Sequence, residues 1–172
     1  MYNQAVGKIT TLNEAIKYSL LSQKANKTVG LVVGSFDILH LGHINLFRLA
    51  KKHADVVIVG LDNDSTIKLV KGENRPVNNF KNRSQILSDL ITIDKIFLID
   101  KTSHNDSEEA RDSYQMLIGQ IRPTHIFTHQ ICDKHWKEKK RLAKAHGIKF
   151  LLDKSPKITS SGKILERLMR EG

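Results

Sequence analysis

His40 and His43 stand three residues apart in the run Gly34-Ser35-Phe36-Asp37-Ile38-Leu39-His40-Leu41-Gly42-His43, which joins an apolar segment to a helical pattern beginning near Ile44. That spacing places two imidazoles on one side of a first helical turn, where both could donate hydrogen bonds to charge developing on a transferring phosphate. A helix start already favours anions through its free N–H groups and dipole, and Gly42 lets the backbone come close to a ligand. The same spacing would equally serve a loop histidine and a cap that satisfy backbone groups. Asp37 could orient a histidine, bind the polar end of a substrate, or simply form the turn.

Other residues suit polyanions. Lys71 and Arg75 are neighbouring cations on a loop after the second apolar run, and Thr159, Ser160 and Ser161 form a hydroxyl-rich helix start that fits phosphate oxygens. Solvated surface charge and an ordinary N-cap are the alternatives. His129, Cys132 and His135, with Asp133 nearby, carry metal-ligand residue types at three-residue intervals. Their spacing is not a standard zinc pattern, and residues six apart on one helix point away from each other, so only irregular backbone would bring all three together.

The elements that must hold these residues are legible as alternating patterns. Thr11-Leu12-Asn13-Glu14 has capping-box spacing and predicts a helix from Leu12 to about Gln23. Apolar, β-branched runs at Thr28 to Gly34, Asp55 to Leu61, Lys95 to Ile99, Thr124 to Thr128 and Ile148 to Leu152 read as strands buried on both faces. Helical spacing separates them, marked by Leu46, Leu49 and Ala50, then Ile86, Leu87, Leu90 and Ile91, then Tyr114, Leu117, Ile118 and Ile121. Strands alternating with helices predict an α/β fold: a Rossmann-like, doubly wound, open parallel sheet of about five strands with helices on both faces and an extra N-terminal helix. One domain over residues 1–172 is expected, with the N-terminal helix in 1–27 and the core in 28–172. Ligands of such sheets bind beyond the carboxyl ends of the strands, where the loops after Gly34, Leu61 and Thr128 fall.

Composition narrows the partners. The formal charge of +10 over 172 residues attracts anions, whether phosphorylated small molecules, nucleic acid or an acidic membrane. Nucleic-acid binding is disfavoured because Trp136 and the few other aromatics are not interleaved with basic residues as stacking platforms. No run reaches the roughly 18 apolar residues that span a bilayer, so no membrane association is expected. The N-terminal residues lack the layout of a secretory signal, and the single Cys132 excludes an internal disulfide, which suits a reducing cytoplasm.

Gly-Ser-Phe-Asp-Ile-Leu-His-Leu-Gly-His resembles the H-x-G-H signature of the cytidylyltransferase-like nucleotidyltransferase superfamily. Lys71-Gly72-Glu73-Asn74-Arg75-Pro76-Val77-Asn78, followed by Arg83 on the next helix, resembles the K-G-x-x-R-P-V-N segment of bacterial heptose-phosphate adenylyltransferases. Lys8 to Glu14 is similar to the N-terminal lead of that group, and Ile158 to Ile164 to the I-S-T-T or I-S-T-S motif that opens the superfamily's last helix. The resemblance implies transfer of a nucleoside monophosphate, AMP from ATP, to a phosphorylated small molecule such as heptose 1-phosphate, with magnesium on the triphosphate and pyrophosphate released. It implies catalytic roles for His40, His43 and Lys71, and nucleotide contacts for Gly34, Ser35, Phe36, Gly42, His43, Asp133, Thr159, Ser160 and Ser161. Asp37, Arg75 and Arg83 would bind the acceptor. No protein side chain is assigned to a metal, and a homodimer is implied by analogy. Glycerol-3-phosphate cytidylyltransferase, FMN adenylyltransferase and a non-catalytic nucleotide sensor are the alternatives. Two segments depart from the pattern. Lys154 and Lys157 flank Ser155-Pro156 where related enzymes carry arginine and glycine, and Thr128-His129-Gln130-Ile131-Cys132-Asp133 stands where the heptose enzymes have a Gly-Gly-Asp loop.

Overall fold

The computed structural model describes residues 7–104, 107–157 and 159–171. Six parallel strands form one sheet in the order β1-β4-β3-β2-β5-β6. The strands are β1 (Ile9–Thr10), β2 (Val29–Gly34), β3 (Val56–Asp62), β4 (Lys95–Ile99), β5 (His125–His129) and β6 (Lys149–Asp153). The helices among the described residues are α1 (Leu12–Lys24), α2 (Leu41–His53), α3 (Asp64–Lys71), α4 (Phe80–Ser88), α5 (Glu108–Ile121), α6 (Trp136–Ala145) and α7 (Ser161–Glu171). The chain runs outward from β2 through β3 to β4, then returns across the sheet to β5 and β6. The switch in strand order therefore lies between β2 and β5, whose carboxyl ends open beside each other.

The long central runs are strands because both sheet faces are covered. Val32, Val57, Val59 and Ile96 pack under Phe47 and Ala50 of α2 and Leu87 of α4, while Leu31, Ile58, Phe97 and Ile126 pack under Ala15 of α1, Leu117, Ile118 and Ile121 of α5 and Leu142 of α6. β-branched side chains lose little rotamer freedom in an extended backbone and fill such a two-sided layer.

Five strands read from the sequence are present, and a sixth is added. Ile9–Thr10 pairs with Ile96–Phe97 at the sheet edge, a two-residue element too short to show periodicity. The Thr11 hydroxyl accepts the Glu14 N–H at 3.3 Å and Glu14 Oε2 accepts the Thr11 N–H at 3.0 Å, so the capping box forms as its spacing predicts. Three local readings are corrected. Lys71 closes the helix α3 rather than lying on a loop, because Asn63 Oδ1 accepts the Thr66 N–H at 2.7 Å and starts a helix whose only deeply buried residues are Thr66 and Ile67. Helix α2 begins at Leu41, which brings Gly42 and His43 inside its first turn. Ile91 lies beyond α4 and is 86% exposed.

Candidate active site

The unusual residues converge on one cleft of about 790 Å³ above the switch point. Its floor is the β2–α2 turn. Phe36 has a positive φ of 42°, a region costly for a bulky side chain, and is held there by burial against Phe47 with ring centroids 5.0 Å apart. The turn lifts His40 to the N-cap of α2 and His43 into its first turn, where the two rings stack at 3.8 Å and Phe36 meets His43 edge-on at 5.1 Å. Neither histidine caps the helix with its side chain. Both Nδ1 atoms are buried without a hydrogen-bond partner. The sequence expectation that Gly42 serves a close ligand has a second reason in the structure: a Cβ there would sit 3.1 Å from Nδ1 and Cε1 of His40.

Burial, then His40, Lys71 and His129, push the His43 imidazole down to about 3, so the ring is neutral near pH 7. His40 is lowered in the same way, first by burial and then by His129, Lys157 and Lys71. His129 is a third imidazole of this group. Its Nδ1 accepts the N–H groups of Ile131 and Cys132 at 3.1 and 3.3 Å. Among the described residues no group of three or more His, Cys, Asp or Glu is arranged to hold a metal ion. The metal-ligand types at His129, Cys132 and His135 therefore do not converge among the described residues.

Cations face the histidines. Lys71 donates to Ser35 Oγ at 2.6 Å, and burial, then Arg75, lowers its pKa. Arg75 Nη2 donates to Ser161 Oγ at 3.1 Å, tying the α3–α4 segment to the start of α7. Thr159, Ser160 and Ser161 line the cleft, with Ser160 Oγ accepting the Lys163 N–H at 3.3 Å as the cap of α7, while Ile158 lies outside the described residues. Gly34 and Ser35, at the end of β2, complete the wall.

Asp37 and Arg83 are buried away from the cleft. Asp37, 2% exposed, accepts Arg75 Nε at 2.8 Å, Arg75 Nη2 at 2.6 Å and the N–H groups of Val77 and Asn78 at 3.0 and 2.8 Å. Burial raises its pKa, but the Asn78, Val77 and Arg75 donors outweigh that and hold it low. Arg83, 1% exposed, donates to Ser35 O at 2.6 Å, Asp62 O at 2.8 Å and Asp64 Oδ1 at 2.7 Å. It clasps the ends of β2 and β3 and is not part of the cleft lining. Asp37 positions Arg75 in the same manner. Asp133 lines the cleft with its carboxylate engaged by Thr128 Oγ1 at 2.6 Å, Lys139 Nζ at 2.7 Å and the His135 N–H at 2.9 Å. The sequence reading passed over Asp62, Lys139 and His129's share in the imidazole group. The available signal was position: Asp62 and His129 end parallel strands and Lys139 lies in the first turn of the helix after β5.

Neutral stacked imidazoles at an uncapped helix start, ringed by Lys71, Arg75, Lys157 and helix-start hydroxyls on a doubly wound sheet, define a nucleotidyltransferase-type site. A match to the family's sequence pattern over residues 31–167 agrees, and the chain belongs to the cytidylyltransferase-like family. It is similar to the bifunctional protein HldE of Campylobacter concisus (strain 13826), with 40% identity over 104 residues, 60% of this chain and 20% of that protein. The HldE of Aliarcobacter butzleri (strain RM4018) is 37% identical over 93 residues, 54% of this chain and 20% of that protein. The aligned part is thus about a fifth of the length of these relatives. Among solved structures, the lipopolysaccharide core biosynthesis protein of Thermoplasma volcanium GSS1 superposes with a TM-score of 0.56 at 21% identity, covering 76% of this chain and 98% of that one. The pantoate-beta-alanine ligase of Francisella tularensis, complexed with beta-gamma ATP and beta-alanine, gives 0.60 at 18% identity, covering 96% and 80%. These two likenesses establish the fold.

Proposed function

We propose that this chain transfers AMP from ATP to a sugar 1-phosphate of the heptose phosphate kind and releases pyrophosphate. The observation that carries the transfer chemistry is the stacked His40–His43 pair with unclaimed ring nitrogens at the open start of α2. The choice of ATP and sugar phosphate rests on the K-G-x-x-R-P-V-N segment, its resemblance to heptose-phosphate adenylyltransferases and the similarity to HldE proteins.

In this reading the acceptor's phosphate oxygen attacks the α-phosphorus in line, the bond from the α-phosphorus to the α,β-bridging oxygen breaks, and its electron pair leaves with pyrophosphate. The protein supplies placement and charge. The α-phosphate lies against the N–H groups of the first turn of α2 and the imidazoles of His40 and His43, which, being neutral, act as hydrogen-bond donors through one nitrogen each. Lys71 and Arg75 neutralise the departing pyrophosphate or the incoming acceptor phosphate, and Thr159 to Ser161 bond the β and γ oxygens. Magnesium enters as part of the nucleotide substrate. It keeps mostly water and phosphate oxygens as ligands and so needs no cage of side chains.

The test is pyrophosphate release with magnesium across ATP, CTP, GTP and UTP, each paired with heptose, mannose and glucose 1-phosphates, glycerol phosphate and flavin mononucleotide. ATP with a sugar 1-phosphate should be the productive pair. His43→Ala should then lose about 100-fold to 1000-fold in turnover while remaining folded. Near-normal turnover of that variant, or CTP as the productive nucleotide, would overturn the assignment.

A further inference from the structure

The carboxylates lining the cleft differ in one respect. Asp133 is held by Lys139, Thr128 and the His135 N–H, and Glu138 is taken by Arg141 at 2.7 Å. Asp62, the last residue of β3, also lines the cleft, yet among the described residues its side chain accepts no hydrogen bond and forms no ion pair; only its backbone carbonyl is engaged, by Arg83. Burial drives its pKa upward, partly offset by Lys139, Lys71 and Arg83 and reinforced by Asp133. Each of those cations is committed elsewhere: Lys139 to Asp133, Lys71 to Ser35 and Arg83 to Asp64. A partly exposed carboxylate at the cleft wall that takes no donor from the described residues is free to accept hydrogen bonds from a ligand.

Position decides which ligand. β3 is the neighbour of β2 on the side away from β5 and pairs with β4, so Asp62 sits between the phosphate groups' cradle above β2 and the Lys101–His104 segment after β4. A carboxylate repels phosphate oxygens and must instead meet a group that donates hydrogen bonds. Lys71, Arg83 and Lys139 make the surroundings positive, which disfavours an ammonium and leaves hydroxyls. Thr66, whose hydroxyl donates to Lys101 O at 3.2 Å, lines the cleft with Lys101.

We propose that Asp62 is the specificity residue for the acceptor, accepting hydrogen bonds from hydroxyl groups on the sugar ring next to the phosphate. The inference rests on the sugar-phosphate reading above and gives that acceptor a recognition point on the protein.

The experiment uses Asp62→Ala and Asp62→Asn with ATP and mannose 1-phosphate, heptose 1-phosphate and monodeoxy analogues of the better acceptor, alongside direct nucleotide binding by each variant. Asp62→Ala should raise the acceptor KM about 10-fold to 100-fold, leave nucleotide affinity unchanged and erase the discrimination between the sugar and the deoxy analogue lacking the bonded hydroxyl. Asp62→Asn, which keeps one acceptor oxygen, should recover part of the loss. An unchanged acceptor KM in Asp62→Ala overturns the proposal while leaving the sugar-phosphate reading intact, as does a better KM for an amino sugar phosphate than for its hydroxyl counterpart in the wild type. Absence of pyrophosphate release from the wild type with every sugar phosphate, despite nucleotide binding, overturns the reading on which the proposal rests.

Discussion

Gly42→Ala should move stability and activity in opposite directions. Gly42 is the second residue of α2, and its φ is not in the left-handed region, so the backbone accepts alanine. Replacing a helical glycine by alanine stabilises by about 0.5 to 1 kcal/mol, because the unfolded chain loses freedom it would otherwise have. For a chain of this size that is a rise in Tm of about 2 to 4 °C for the upper figure. Opposing this, the new methyl lies 3.1 Å from two atoms of the His40 ring, a few tenths of an ångström inside ordinary contact. Retreat is limited, since His43 is stacked on His40 at 3.8 Å and is itself buttressed by Phe36. The ring must tilt or slide, and a displacement of up to about 1 Å at a reacting group costs as much as about 100-fold in rate. Thermal unfolding and pyrophosphate release measured on one preparation should therefore show an unchanged or raised Tm with turnover lowered about 10-fold to 100-fold. A variant that is more stable and turns over at the wild-type rate would refute the idea that Gly42 is there to admit the His40 ring.

Two further perturbations follow from the same geometry. With His43 held at about 3 in the fold against 6.5 unfolded, the unfolded chain binds more protons between those values, so this residue's contribution to stability is complete above 6.5 and is lost as pH falls toward 3. Histidine NMR titration should show His43 unprotonated at pH 5, and urea unfolding should show a midpoint that drops with acidification in that window but drops less in His43→Ala. Arg83→Met should cost about 2 to 5 kcal/mol, because it strands the carbonyls of Ser35 and Asp62, while the half-exposed Asp64 can turn to water. Arg83→Lys should recover little, since an ammonium cannot span the three acceptors, and urea unfolding of both variants checks this.

What could be read from the sequence tracks how each residue is paid for its place in the fold. Runs such as Val29–Gly34 and Val56–Asp62 announce themselves because a two-sided core demands apolar residues without a break. Ile9–Thr10 does not, as two residues carry no period, and α3 hides because only Thr66 and Ile67 reach the core, though Asn63 was a usable start signal. At the site, His40, His43, Lys71 and Arg75 were legible from residue type and spacing. The burial of Arg83 was not legible, because sequence reasoning sends arginine to water or to a ligand, whereas two main-chain carbonyls and a carboxylate hold it inside. Asp62 went unremarked because an acid at a strand end looks like the beginning of a turn; only the lack of a hydrogen-bond or ion-pair partner for its carboxylate among the described residues sets it apart.

The helices of this protein begin in two ways. Those away from the histidines are closed by Thr11, Asn63, Asn79 and Ser107, whereas the N-cap side chain of α2, His40, makes no cap bond. This open start flanks the cleft. Amides at the head of α2 should accordingly exchange with solvent in the free protein and become protected when nucleotide supplies the missing acceptors, so that ligand binding finishes the helix and raises the resistance of the whole domain to unfolding.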